Sequence, residues 1–196
     1  KHAPFWRVTG VRHMKAIRKL MLATTMVLGA TASIAAMKDP MVGGAAMYPT
    51  KNIIQNAVNS KDHTTLVAAV KAADLVDTLS GPGPFTVFAP TNAAFAKLPA
   101  GTVDTLLKPE NKAQLTAVLT YHVIPGRITA AAIAANAAKH MGKATYTTVQ
   151  GEPLTFMKSG GTWWVMDGKG DKGKITIANV MQSNGVIHVI DTVMMP

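Results

Sequence analysis

The sequence predicts an α+β fold with a mostly antiparallel sheet. Three observations lead there. Apolar residues at helical spacing dominate positions 51–138. Alternating, β-rich runs dominate positions 145–193. The two kinds of segment are largely segregated along the chain, without the regular βαβ alternation that a parallel sheet requires.

The elements follow in order. Residues 51–60 carry Ile53, Ile54, Ala57 and Val58 at helical spacing. Asp62 is placed to cap a second helix bearing Leu66, Val67, Val70, Leu75, Val76 and Leu79, which stops at Gly81-Pro82. Phe85-Thr86-Val87-Phe88-Ala89 reads as a buried strand bounded by prolines. Phe85, Val87 and Phe88 supply core area there, each worth about 1.5–3 kcal/mol when fully buried. Pro90 cannot continue a central strand, and Thr91 can cap the short helix that carries Phe95, so together they turn strand into helix. Short helices follow at 102–107 and 110–120, the latter with Leu115, Val118 and Leu119 on one face. Tyr121-His122-Val123-Ile124 reads as a strand ended by Pro125-Gly126, and 129–138 as an alanine-rich helix. Thr145 to Val149 alternates. The runs 154–157 and 162–166 flank Ser159-Gly160-Gly161, a hairpin signal. Ile175, Ile177 and Val180 mark the next strand. Gly185 permits a tight turn into the last one, which contains His188 as a structural residue.

The chain has 196 residues, 48% of them hydrophobic and 15% charged, which fits one globular domain with appendages. Its net charge of +10 is unevenly distributed. The first 36 residues hold Lys1, Arg7, Arg12, Lys15, Arg18 and Lys19 and no acid, and the rest carries 14 basic against 10 acidic residues. That mild excess, with no basic run, points away from nucleic acid. With no cysteine there is no disulfide, thiolate metal site or cysteine nucleophile. From Met14, a basic head precedes the short apolar run 20–32 and small residues at Ser33, Ala35 and Ala36, the layout of a cleavable export signal. Cleavage falls after Ala35 or Ala36. The expected organisation is an upstream extension (1–13), a signal (14–36), a flexible linker (37–50) and a domain (51–196). The domain is expected to be secreted or periplasmic, with no stable membrane span after cleavage.

Three blocks carry a family resemblance. The first is Gly83-Pro84-Phe85-Thr86-Val87-Phe88-Ala89-Pro90-Thr91-Asn92-Ala93-Ala94-Phe95-Ala96-Lys97-Leu98-Pro99. The second is Leu119-Thr120-Tyr121-His122-Val123-Ile124-Pro125-Gly126. The third runs from Ser183-Asn184-Gly185-Val186-Ile187-His188 to Pro196. With Asp62-His63-Thr64-Thr65-Leu66 upstream, their order and spacing resemble the fasciclin domain over residues 52–196. The resemblance implies a β-wedge or sandwich with helices packed on one side, and a bacterial single-domain secreted member. It also implies adhesion or matrix contact without a catalytic centre or cofactor. In animal members the tyrosine-histidine block is implicated in integrin contact. Tyr121 and His122 therefore have two readings: an internal lock hydrogen-bonded to backbone, or part of a partner-contact surface. Trp163 and Trp164 place one indole on each face of a strand, one for the core and one available to a protein or glycan partner. The alternative function is a periplasmic small-ligand binder or enzyme with a cleft near Tyr121-His122. A monomer is expected.

Other chemistries lack their residues. No serine lies in a G-x-S-x-G elbow, and His63, His122, His140 and His188 are dispersed. The stretch 167–173 (Asp-Gly-Lys-Gly-Asp-Lys-Gly) fails as a calcium loop, because Lys169 stands at a ligand position and no glutamate closes it at Ala178. It reads as a flexible polar hairpin.

Overall fold

A computed structural model describes residues 39–196; the extension (1–13) and export signal (14–36) expected from sequence lie outside the described residues. The described residues open with a small hairpin, β1 (Met41–Val42) and β2 (Ala45–Ala46). Helices α1 (Ile53–Ala57), α2 (Thr64–Ala72) and α3 (Val76–Ser80) lead into β3 (Phe85–Pro90). Helices α4 (Asn92–Ala96), α5 (Thr102–Leu106) and α6 (Lys112–Tyr121) precede β4 (Val123–Pro125). After α7 (Ala130–Lys139) come β5 (Lys143–Thr147), β6 (Pro153–Ser159), β7 (Thr162–Met166), β8 (Lys172–Gln182) and β9 (Gly185–Ile190).

Seven strands form one sheet in the order β4-β3-β9-β8-β7-β6-β5. Every neighbouring pair is antiparallel except β3 and β9, which run parallel from Phe85↔Gly185 to Pro90↔Ile190. The sheet curls until its edges meet: beyond β5, Val149 N–H donates to the Val123 carbonyl of β4 at 2.8 Å. Pleating gives the central pair two apolar faces. Val87, Ala89, Ile187 and Val189 join one cluster with side chains from α1, α2, α4 and α6. Phe88 and Ile190 join a second with Ile133 and Ala137 of α7 and with Leu154, Phe156 and Val165 of the hairpin strands. The helical bulk thus covers one face, and α7 sits on the other.

Four local expectations change. Residues 39–50 form no free linker: Val42 and Met47 are buried in the first cluster, and Met47 N–H closes the hairpin onto the Pro40 carbonyl at 2.9 Å. The long second helix breaks between α2 and α3. Asp74 takes φ 56°, Asp74 N–H bonds the Lys71 carbonyl, and Leu75 N–H reaches back to Val70. That is a Schellman ending with aspartate in the left-handed position. Asp62 does not cap α2; the Asn92 side chain, from α4, accepts from Thr65 N–H at 3.0 Å. Tyr121 and His122 are not strand residues, for α6 runs through Tyr121 and His122 is its C-cap.

At the other end of the first block, Thr91 Oγ1 accepts from Ala94 N–H at 3.2 Å, capping α4, whose Phe95 is buried. Gly185 is the first residue of β9 and pairs with Gln182 across the two-residue turn Ser183-Asn184. It also serves proximity: an added Cβ would sit 2.0 Å from the Phe85 carbonyl oxygen. The obstacle is backbone, so no side-chain rotation relieves it. We predict that Gly185→Ala destabilises the fold by about 3 kcal/mol, read as a lower urea midpoint. An unchanged midpoint would show that the β3–β9 contact is looser than described.

Candidate functional site

The tyrosine-histidine block builds the polar seam between the end of α6 and the C-terminal tail. Tyr121 is fully enclosed, 0% exposed. Its hydroxyl donates to the Pro153 carbonyl at 3.0 Å and accepts from Gly168 N–H at 3.1 Å, tying α6 to both ends of the β6–β7 hairpin. Burial raises the phenol pKa. Beside it, Asp167 is buried at the end of β7. One carboxylate oxygen accepts from Lys169 N–H and Asp171 N–H at 3.0 and 2.9 Å, the other from Met195 N–H at 3.1 Å. The 167–173 stretch is therefore a turn organised around an aspartate and latched to the tail. The carboxylate's acceptor capacity goes to backbone amides, and among the described residues no group of histidines and acids could hold a metal ion.

His122 is 2% exposed. Its Nδ1 lies 2.8 Å from the Val118 carbonyl, which only accepts, so Nδ1 carries the proton. Nε2 then accepts from Met194 N–H at 3.0 Å. Those two partners require a neutral ring, and burial lowers its pKa to about 4. His188 has the opposite tautomer: Nε2–H donates to the Ile128 carbonyl at 2.8 Å, and Nδ1 accepts from Asn179 N–H at 3.3 Å. Its ring stacks on Phe88, centroids 5.2 Å apart. His63 accepts from Ser60 at Nδ1, 2.8 Å, with Nε2 3.4 Å from the Ala89 carbonyl. Burial lowers the pKa of both.

Of the two readings of Tyr121 and His122, the partner-contact surface fails: both rings are enclosed, and their polar atoms are consumed internally. The cleft of the ligand-binding alternative fails with it. The space lined by His122, Leu119, Val123 and the α1–α2 side chains is an apolar cavity of about 30 Å³. That admits a water or two, not a metabolite.

The tryptophans separate as strand alternation requires. Trp163 packs on the second cluster, inward with Val165. Trp164 points outward, half-exposed, beside Met157 and Lys172.

Three side-chain amides missed in the sequence hold the frame together. Asn184 accepts from Ile53 N–H at 3.0 Å, and its NH₂ donates to the Leu79 and Gly81 carbonyls at 2.8 and 2.9 Å. It so joins α1, α3 and the entry to β9. Asn56 exchanges bonds with the backbone of Tyr48, fixing the N-terminal hairpin, and donates to Gln182. Asn92 joins α4 to α2 and to the Lys61 carbonyl. An asparagine between periodic segments signals a turn or cap, but not a partner far along the chain.

The curled sheet with one parallel central pair, most helices on one face and α7 on the other, and a histidine-latched tail defines a class. The Fasciclin domain family model matches residues 61–196, and the chain belongs to that family. Among relatives, it is 50% identical to Protein sll1483 of Synechocystis over 81% of each chain. It is 39% identical to Immunogenic protein MPB70 of Mycobacterium bovis, over 71% of this chain and 66% of that one. Identity to the M. bovis cell surface glycolipoprotein MPB83 is 36%, over 84% and 64%. The fold matches the FAS1 domain pair of the insect cell adhesion molecule fasciclin I with a TM-score of 0.65. That match has 16% identity and covers 74% of this chain and 51% of that one. No helix among the described residues is long and apolar enough to cross a membrane.

Neutral buried histidines make stability depend on pH in a defined direction. Below pH 6.5 the unfolded chain takes up protons at His122 that the folded chain refuses until about pH 4. The His122 contribution is complete above 6.5 and falls by about 1.4 kcal/mol per pH unit on acidification towards pH 4. His63 and His188 act in the same direction. We predict a urea midpoint that drops between pH 7 and pH 5, ahead of ordinary carboxylate titration, with a shallower slope in His122→Gln. A flat profile in that window would contradict the neutral latch.

Proposed function

We propose that the protein acts outside the cytoplasm as a non-enzymatic adhesion module that binds a protein or glycan on a surface. The observation that carries this reading is the fasciclin-family match over residues 61–196. Two relationships support the compartment and the role: MPB83 is described as a cell surface glycolipoprotein, and the FAS1 pair belongs to an insect cell adhesion molecule. The internal engagement of Tyr121, His122, Asp167 and His188 adds a physical argument. Polar groups committed to backbone are poorly placed to bind or transform a ligand, so recognition falls to exposed strand and loop surfaces.

The chain acts as a monomer in dilute solution. One weak site per domain becomes effective when many copies share a surface, as with any multivalent contact. Deleting the gene from the encoding organism is expected to reduce attachment and biofilm formation, and supplying the wild-type chain to restore them. Unchanged attachment in the deletion strain would refute the adhesive role. A dimer mass by light scattering would refute the monomer.

A further inference from the structure

The outward face of β5–β8 carries an arrangement that nothing in the core explains. The register aligns Lys143, Met157, Trp164 and Lys174 in one row across four strands, and Thr145, Thr155, Met166 and Lys172 in the next. Residues directly opposite one another share a face of the sheet. The inward face of the same strands holds Ala144, Leu154, Phe156 and Val165, and α7 packs there. Among the described residues nothing comparable fills the outward one. Trp164, Met157 and Met166 are only partly buried and all three lysines exposed. An open groove of about 230 Å³ lies between Trp164, Met157, Ser159 and Lys172. That is below the ~300–1,000 Å³ of small-molecule pockets, so it suits one residue of a longer chain.

Charge points to the occupant. The ion pairs among the described residues are Lys97–Asp191 and Lys112–Asp74. Lys143, Lys172 and Lys174 therefore form no ion pair among the described residues; of the acids near them, Asp167 is committed to backbone amides, and Asp191, which accepts from Lys174 N–H, pairs with Lys97. The two ends of the first row are three strand spacings apart, about 14 Å. An indole lying between cations at that span fits a linear polymer that offers a flat apolar ring face and repeated negative charges. Resting on the adhesive reading above, we propose that this face binds an anionic polysaccharide, with a sugar ring on Trp164 and its carboxylates or sulfates on Lys143, Lys172 and Lys174. A bilayer surface fits less well, because the apolar side chains lie in the plane of the sheet instead of projecting from a loop tip.

The test uses the full chain with alginate (carboxylate), dextran sulfate (sulfate) and neutral dextran, reading Trp fluorescence and calorimetry. Binding to alginate or dextran sulfate, absent with dextran and weakened as salt rises from roughly 0.05 to 0.5 M, is the expected result; which of the two binds names the acidic group. Trp164→Ala should weaken binding by about fivefold or more. The triple variant Lys143→Ala/Lys172→Ala/Lys174→Ala should weaken it by about tenfold or more. Both must melt like wild type, and Trp164→Phe should keep part of the affinity if Trp164→Ala does not fold. Equal binding to neutral dextran, no binding to either anion, or variants that bind as wild type would overturn the proposal. So would tighter binding to phosphatidylserine vesicles or single-stranded DNA. Attachment assays separate the two levels. A deletion strain that fails to attach but is rescued by the Trp164→Ala chain refutes this face and leaves the adhesive role standing. A deletion strain that attaches normally refutes the adhesive role itself.

Discussion

The parallel pairing of β3 with β9 joins segments that begin at Phe85 and Gly185, and the rest of the fold is arranged around it. Closing so long a loop has a real entropic cost, which must be offset by contacts made once the strands meet. Both faces of the pair supply them. Val87, Ala89, Ile187 and Val189 bury against the helices, while Phe88, His188 and Ile190 bury against the hairpin strands and α7. The pair is also pinned at its start. Gly185 lets the backbones touch, and Asn184 accepts from Phe85 N–H at 3.0 Å through its carbonyl while its side chain gathers α1 and α3.

The residues that make the fasciclin blocks recognisable are therefore mostly residues of this frame. Tyr121, His122 and Asp167 latch α6, the β7–β8 turn and the C-terminal tail, and His122 can do so only while neutral. A charged ring would set its second N–H against Met194 N–H. Conspicuous polar residues can thus be structural through and through. The outward sheet surface differs: Trp164 there lies outside both hydrophobic clusters.

The class of fold was readable because it depends on periodicity. Alternation in 145–149 and helical spacing in 110–120 are imposed by burying one face, and both leave a plain trace in the chain. The Trp163/Trp164 division was readable for the same reason. Three things were not. The helix break at Asp74 depends on one residue adopting a left-handed conformation inside an unbroken apolar pattern. The burial of Val42 and Met47 depends on a hairpin too short to show a period. The partners of Asn184 and Asn92, and the Met194 partner of His122, lie 27 to 131 positions away, and pairings at that range leave no local signature. Tyr121 misled because a β-prone residue closes a helix whose tertiary contacts outweigh its propensity.

Native-state hydrogen exchange resolved by residue tests the frame most directly. If the β3–β9 pair is its centre, the amides of Val87, Phe88, Ala89, Ile187 and Val189 exchange only through global unfolding, with a denaturant dependence equal to that of the whole domain. The β5–β7 strands then open at equal or lower free energy. Exchange of the β3–β9 amides through a smaller opening, while β5–β7 stay protected, would place the centre of the fold elsewhere.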